Sequence, residues 1–209
     1  MATRSTGSGG AGERQAIAPA AMEWPATWRT AAGGHRLCAR PLEPTDRDAY
    51  LEGFARLSPD SRYLRFAGPK PRLSTADLAY LLDVDHHRHE ALVAFECRSG
   101  RGVAVARYVR LPGDPSAADV AVTVIDDWQG RGVGRHLLAL LTRRAAEDGI
   151  TRLHADALRE NRRALRLLRG AGFRVVGWEG VMASLERTIG APAETIPAAP
   201  ALGGLRPAA

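Results

Sequence analysis

Apolar and polar side chains alternate over residues 119–125, so that Val120, Val122 and Val124 share one side of an extended chain. The next segment, residues 132–148, changes to the helical period, and its apolar stripe comprises Val133, Leu137, Leu141 and Ala145. Gly149 follows as a C-terminal stop. The pattern predicts a strand, a glycine-rich turn and an amphipathic helix in direct succession.

The remaining pattern predicts a mixed α/β domain. Strands are expected at 35–40, 90–96, 103–109 and 150–158, with a leading strand or ordered arm within 24–34 and a final turn and strand from Gly172. A capping box at Thr45–Asp48 predicts a helix to about Arg56, and further helices are expected after Ser58, from Ser74 to about Leu82, and after Asn161. The predicted order is strand, two or three helices, three strands, helix, strand, helix and two strands.

The turn between the strand and helix at 119–148 contains the chain's clearest chemical signal. Residues 128–134 read Trp-Gln-Gly-Arg-Gly-Val-Gly, and such a turn leaves backbone N–H groups free at a helix N-terminus, where they can bind a pyrophosphate. Arg131 and Arg135 add positive charge. The glycine spacing is not that of a dinucleotide-binding fold, and no phosphate-loop lysine follows. An alternative interpretation is a turn whose glycines only permit tight packing.

The pattern Gln129-x-x-Gly132-x-Gly134 resembles the acetyl-CoA signature of the GNAT superfamily of N-acetyltransferases. Asn161-x-x-Ala164 followed by Gly172-Phe173 is similar to the end of the same domain. The resemblance implies the GNAT fold: a mixed, mostly antiparallel central sheet flanked by helices, with splayed strands that bind acetyl-CoA, the pantetheine arm being held by the asparagine. It implies these cosubstrate-binding residues: Val122, Val124, Gln129, Gly130, Arg131, Gly132, Val133, Gly134, Arg135 and Asn161.

A narrower resemblance concerns the acceptor. Residues 57–66 (LSPDSRYLRF), 106–108 (ARY) and 118–122 (ADVAV) resemble segments of bacterial protein lysine acetyltransferases of the Pat type, and the likeness extends over about residues 35–187. It implies transfer of an acetyl group to a primary amine, with a protein lysine favoured. The alternatives are a small-molecule amine and a CoA-binding module without catalysis. Arg62, Tyr63, Arg65 and Phe66 fit either an acceptor groove or simple core and surface alternation.

Two catalytic residues follow from the resemblance. Amine acetylation needs a base because a free lysine, with a pKa of about 10.4, is almost wholly protonated at pH 7. Asp119 stands where the resembled enzymes carry a glutamate base, and its other interpretation is a surface carboxylate at a strand end. The backbone N–H of Val124, or of its neighbours, is expected to face the thioester carbonyl. Leu168 stands where many members have a tyrosine proton donor.

Composition sets the remaining expectations. The 209 residues predict one domain, residues 23–188, between disordered tails at 1–22 and 189–209, where small residues and proline predominate. No apolar run has the length of a signal peptide or membrane span, so we expect a cytoplasmic protein, monomeric or homodimeric, that binds no membrane. The net charge of +6 is spread as arginine among 23 acidic residues, which argues against nucleic acid as a partner.

Two further groups of residues have side chains that could support other chemistry. Cys38 and Cys97 fall in separate predicted strands with no redox or metal spacing. His86, His87 and His89 could indicate a metal site, but they lack the helical spacing of a zinc protease and are expected to form a polar loop. The sequence therefore predicts no metal site.

Overall fold

A computed structural model describes residues 22–30 and 33–190. Its strands are β1 (Ala26–Arg29), β2 (Arg36–Pro41), β3 (His89–Glu96), β4 (Gly102–Leu111), β5 (Asp114–Val124), β6 (Arg152–Leu158), β7 (Arg174–Glu179) and β8 (Met182–Thr188). Its helices are α1 (Arg47–Ala55), α2 (Pro59–Phe66), α3 (Thr75–Leu82), α4 (Val133–Glu147) and α5 (Arg162–Gly170). The predicted order of elements is confirmed, with β5 beginning five residues earlier than the alternation indicated.

The strands form one sheet in the order β1-β2-β3-β4-β5-β6-β8-β7. All neighbours are antiparallel except β5 and β6, which run parallel. Only three residue pairs join these two strands, ending at Asp119 opposite His154. Beyond that pair β5 stays in register with β4 as far as Val124, whereas β6 keeps its pairing with β8. A wedge therefore opens between β5 and β6, and the predicted fold with splayed strands is confirmed.

Helices cover both faces of the sheet, and the alternation of β4 shows which helix lies on which face. Tyr108 is fully buried, and its hydroxyl donates to Asp148 just after α4. Its neighbour Arg107 points the other way and donates to the hydroxyl of Tyr50 on α1. Even-numbered residues of β4 and β5 therefore face α4, and odd-numbered ones face α1, because successive side chains of a strand alternate.

A buried ion network fixes α4 to the sheet. The carboxylate of Glu90 on β3 is inaccessible to solvent and accepts hydrogen bonds from Arg144 at 3.1 Å and from the backbone N–H of Ala91 at 2.9 Å. His86 lies 2.8 Å from the same carboxylate. A buried carboxylate needs such partners, because its charge loses the hydration that it has in water.

Two local expectations are corrected by the structure. The predicted capping box at Thr45–Asp48 is wrong, because Asp46 instead accepts from the N–H of Glu43 and caps a short 3-10 turn before α1. The two cysteines, whose spacing in the sequence indicated no redox role, form a disulfide. Cys38 lies on β2 and Cys97 directly follows β3, and the pairing of these two strands brings the cysteines together.

The tail predictions fall almost entirely outside the described residues. Ile189, assigned to the C-terminal tail, is buried and donates its N–H to the carbonyl of Thr151. The packed domain therefore continues to that residue. Among the described residues, no helix has the length and apolar content needed to cross a membrane.

Candidate active site

The wedge between β5 and β6 exposes backbone hydrogen-bonding groups of β5. Ile125 donates its N–H to Val103 on β4, whereas Ser116 accepts from Thr151 on the β6 side. Because hydrogen-bonding direction alternates along a strand, the N–H groups of Val122 and Val124 point towards β6. There β6 has already turned away, so these two donors face the wedge. This is the backbone arrangement expected for Val124 as a donor to a thioester carbonyl.

The glycine-rich loop places a helix N-terminus at one end of the wedge. Gly130 and Gly132 have φ values of 75° and 82°, a region that strongly favours glycine. Gly132 caps α4 without any side-chain hydrogen bond, so the first N–H groups of the helix, beginning with Val133, are available to an anion. Gly134, in the first turn, has a different reason: a Cβ there would lie 3.3 Å from Val124 Cγ2 and 3.4 Å from Leu167 Cδ2.

Polar side chains at the N-terminus of α2 hold the glycine-rich loop in place through hydrogen bonds. Asp126 accepts from the N–H and hydroxyl of Ser58, at 2.9 and 2.7 Å, and from the hydroxyl of Ser61 at 2.9 Å. Burial by itself would raise the pKa of Asp126, but these hydrogen bonds outweigh it and lower the pKa. Gln129 completes the anchor, since its amide donates to Ser61 and to the carbonyl of Val124. Its side chain therefore holds the loop and leaves only its backbone for a ligand.

Helix α5 forms the opposite wall of the wedge. Asn161 caps it by accepting from the N–H of Ala164 at 3.0 Å, which places the asparagine at the mouth of the cleft. The cleft measures about 920 Å³, within the range of cofactor sites. Five arginines line it, of which the sequence indicated cosubstrate binding for Arg135 alone: Arg65, Arg135, Arg162, Arg163 and Arg166.

Nine of the ten predicted cosubstrate-binding residues therefore line one cleft, and one does not. Val122, Val124, Gln129, Gly130, Gly132, Val133, Gly134, Arg135 and Asn161 all line it. Arg131 instead stacks its guanidinium over the ring of Trp128, 5.3 Å from the centroid, and lies outside the lining. Ser58, Ser61 and Asp126 were missed, because their contacts join segments more than 60 residues apart.

Asp119 lies at the closed end of the wedge, on the face towards α1. It is the last β5 residue paired with β6, opposite His154. Asp119 is exposed at the strand edge, but partial desolvation of its carboxyl group raises its pKa; His154 opposes the rise, and the nearby Asp156 adds to it. His154 in turn lies 3.2 Å from the carboxylate of Glu186. A carboxyl group with a raised pKa is a stronger base once ionised, which suits proton abstraction.

The face of β5 opposite to α4 carries a second opening. Thr123 points to this face, and its hydroxyl accepts from Arg65 Nε of α2 at 3.0 Å. An apolar pocket of about 260 Å³ lies beneath α1 and α2 and shares Leu57, Arg65 and Thr123 with the large cleft. The α2 segment thus lines the site through Arg65, while Arg62 supports the chain locally by donating to the carbonyl of Pro71.

The three histidines have different surroundings and do not converge on one point. His86 pairs with Glu90, His89 Nε2 lies 2.9 Å from Arg107, and His87 is exposed. In the residues that the structure covers, no three potential ligands converge on one point. The expected polar loop is correct for His87, but His86 and His89 belong to interior networks on opposite faces of the sheet.

Comparison with known proteins agrees with this geometry. The model of the acetyltransferase (GNAT) family matches residues 48–173. The chain belongs to the GNAT family. The acetyltransferase Pat of Mycolicibacterium smegmatis is 35% identical over 148 residues, which are 71% of this chain and 43% of that protein. An acetyltransferase of Pseudomonas aeruginosa is 32% identical over 142 residues, 67% of this chain and 76% of the other.

A solved structure extends the likeness to three dimensions. The GNAT domain of S. lividans PAT has a TM-score of 0.75 and 29% identity, covering 79% of this chain and 97% of that domain. The predicted likeness to Pat-type acetyltransferases is thereby confirmed, as is membership of an N-acetyltransferase family. This GNAT chain spans less than half the length of the M. smegmatis relative, so that protein's activity as a whole does not transfer to it.

Proposed function

We propose that this GNAT chain transfers an acetyl group from acetyl-CoA to a primary amine by direct attack within a ternary complex. The observation that carries the proposal is the wedge: two unpaired N–H donors of β5, from Val122 and Val124, lie beside a helix N-terminus suited to a pyrophosphate. If the loop glycines served only to form a tight turn, this would not explain why unpaired N–H donors and a free helix N-terminus lie side by side. Gly132 in particular faces open space rather than a packed neighbour.

Each part of the cleft has a role in this proposal. The N–H groups at the start of α4, with Arg135 beside them, bind the pyrophosphate. Asn161 binds the pantetheine arm at the N-terminus of α5. The N–H of Val124 donates to the thioester oxygen, which becomes an oxyanion when the amine attacks. Such preorganised donors typically lower a barrier by about 3–4 kcal/mol.

Asp119 is the proposed base. At pH 7 about one lysine in 2,500 is neutral, which is equivalent to about 4.6 kcal/mol of barrier. Asp119 takes the ammonium proton, directly or through a water molecule, and the neutral amine then attacks the thioester carbonyl. The C–N bond forms, the C–S bond breaks, and the nitrogen loses its second proton to solvent. The thiolate that leaves takes its proton from solvent, because Leu168 is a buried hydrocarbon side chain where a tyrosine donor would stand.

The proposed acceptor is a protein lysine side chain. The support is the likeness of the α2 segment to Pat-type enzymes, and the alternative is a small-molecule amine. Incubation of the protein with labelled acetyl-CoA and a cell lysate, followed by separation of proteins from small molecules, distinguishes them. We expect label on protein; label confined to the small-molecule fraction would contradict this part of the proposal.

Calorimetric titration with acetyl-CoA tests the cosubstrate. We expect a single site that saturates below about 1 mM, and no heat of binding at that concentration contradicts the proposal as a whole. A CoA-binding module without catalysis is the third possibility, because Asp119 is one methylene shorter than glutamate. Tight binding without turnover of any amine, in lysate or in a purified panel, would favour such a module.

A cytoplasmic location and a monomeric or homodimeric state complete the proposal. Acetyl-CoA is made and consumed inside cells, which supports the location. The Cys38–Cys97 disulfide opposes it, because disulfides persist mainly in oxidising compartments. Thiol labelling of protein quenched directly from cells distinguishes a cytoplasmic location from an oxidising compartment. We expect both cysteines to be reduced and labelled if the protein is cytoplasmic. Analytical ultracentrifugation gives the oligomeric state.

A further inference from the structure

The acceptor's route to the wedge follows from the two faces of β5. The loop and α4 lie on the face of Val122 and Val124, so the nucleotide end of the cosubstrate occupies that side. An amine that attacks the same carbonyl in a ternary complex enters from the other face. That face carries the side chains of Asp119 and Thr123, and Arg65 lies against Thr123.

Arg65 is a partly buried cation without a carboxylate partner. Its Nε donates to the Thr123 hydroxyl, and its guanidinium lies 5.2 Å from the Phe66 ring centroid. Within 22–30 and 33–190, no aspartate or glutamate forms a salt bridge with it. By contrast, Arg40 and Arg144, which are similarly shielded, each have a carboxylate within 3.1 Å.

A second arginine increases the positive potential at this place. Arg107 is 4% exposed, and its partners are His89, the hydroxyl of Tyr50 and the carbonyl of Leu81. His89 is a neutral partner, because burial and the neighbouring Arg107 lower its pKa. Burial likewise lowers the pKa of Arg65, and Arg107 contributes to the decrease. The positive charge of Arg107 thus adds to that of Arg65, and among the described residues neither guanidinium has a salt bridge to a carboxylate.

The guanidinium of Arg65 is accessible to a ligand. It lines both the large cleft and the apolar pocket beneath α1, at the point where the two meet. Its two terminal nitrogens have no acceptor in the described part of the chain, and a planar guanidinium is well matched to a carboxylate. Asp119 and Thr123 are four residues apart on β5, so about 13 Å of strand separates their Cα atoms.

We propose that Arg65 binds a carboxylate of the acceptor, so that the amine acetylated by this protein belongs to a molecule or peptide segment that also carries an acidic group. This inference rests on the proposed acetyltransferase function and specifies its substrate class. Arg65 holds the carboxylate beside Thr123, next to the Val124 N–H that binds the thioester oxygen in the proposed function. The amine, several bonds from that carboxylate, reaches the thioester from the face on which Asp119 lies. Free amino acids and lysines flanked by acidic residues share this chemistry.

The test compares matched acceptors with acetyl-CoA as donor. Lysine is compared with lysinamide, and a lysine peptide with glutamate neighbours is compared with its glutamine counterpart. We expect kcat/KM to be at least about tenfold higher for the acidic member of one pair, and which pair responds identifies the source of the carboxylate. Arg65→Gln should abolish the preference, Arg65→Lys should keep part of it, and the exposed Arg72→Gln should leave it unchanged.

Every other outcome overturns the inference. Equal rates within both pairs for the wild type would do so without any variant, even if Arg65→Gln did not fold. A preference that survives in Arg65→Gln, or an equal loss of kcat for both members, would show that Arg65 does not bind the acceptor's carboxylate. A preference for succinyl-CoA over butyryl-CoA that depends on Arg65 would assign the site to the acyl group. Absence of turnover with any acceptor would instead contradict the proposed function itself.

Discussion

Asp119 and His154 are the last pair of residues that joins β5 to β6, and the strands separate immediately beyond them. The proposed base therefore lies at the vertex of the wedge, where a β6 histidine and the nearby Asp156 both affect its ionisation. Its pKa is raised, mainly by partial desolvation. This position makes Asp119 the most informative single residue for mutation.

Asp119→Asn should lower kcat by about 10²–10⁴-fold, the usual contribution of general acid–base catalysis, without changing acetyl-CoA affinity. The wild-type rate should fall as pH falls through the raised pKa, at a higher pH than for an ordinary aspartate, because only the ionised carboxylate accepts a proton. The variant should lose this acid limb and recover activity at high pH, where the amine is neutral. An unchanged pH–rate profile would remove Asp119 from the mechanism.

The same shift predicts a small effect of Asp119 on stability. A carboxyl group whose pKa is higher in the folded state holds its proton more tightly there, so its ionisation opposes folding as pH rises through the two pKa values. Asp119→Asn should therefore unfold at an equal or higher temperature than the wild type at pH 7. The difference should vanish below the ordinary aspartate pKa. Thermal unfolding at pH 7 and at pH 3 measures it, and a lower midpoint for the variant at pH 7 would contradict the assignment.

Gly132→Asp should weaken acetyl-CoA binding at least about tenfold more than Gly132→Asn. Both variants carry the strain of a side chain at φ 82°, about 1–2 kcal/mol, and neither side chain meets a neighbour at its Cβ. Only aspartate adds a negative charge at the N-terminus of α4, where the pyrophosphate is expected. Calorimetric titration gives both dissociation constants. Equal values would mean that the loop binds no anion.

Glu90→Gln should destabilise the protein by about 2–4 kcal/mol. The variant removes the fully buried carboxylate with which Arg144 forms its shortest ion pair, and so leaves the arginine without that partner. Urea unfolding measures the change. Glu52→Gln is the matched control: it removes an ion pair with Arg101 that is about half exposed on both sides, so its effect should stay below about 1 kcal/mol. Similar losses in the two variants would show that the Glu90 network contributes no more than a surface pair.

Reduction of the Cys38–Cys97 disulfide should lower the free energy of unfolding by about 2–4 kcal/mol. The bond joins residues 59 positions apart, and breaking it increases the conformational entropy of the unfolded chain, because the loop between them is no longer closed. Urea unfolding with and without dithiothreitol measures the loss. A variant with both Cys38→Ser and Cys97→Ser should be insensitive to the reductant. Identical midpoints for the wild type in the two conditions would show that the bond does not stabilise the fold.

The periodic segments and the glycine-rich loop followed from the sequence alone. Alternation over 119–125 and the stripe of α4 fixed the strand, the turn and the helix to within a few residues, because burial of one face imposes those periods. Gly130 and Gly132 were recognisable for the same kind of local reason, since a positive φ favours glycine wherever the chain lies. The resemblance to the family signature then predicted that this loop binds acetyl-CoA.

The tertiary structure decided which distant residues meet. Asp126 reaches Ser58 across 68 positions, Arg65 reaches Thr123 across 58, and Cys38 reaches Cys97 across 59. No periodicity encodes such contacts, because they depend on how strands pair and on which face each helix covers. The wedge is itself of this kind: residues 120–124 have the pattern of an ordinary strand, and only the early departure of β6 leaves the N–H groups of Val122 and Val124 without a partner.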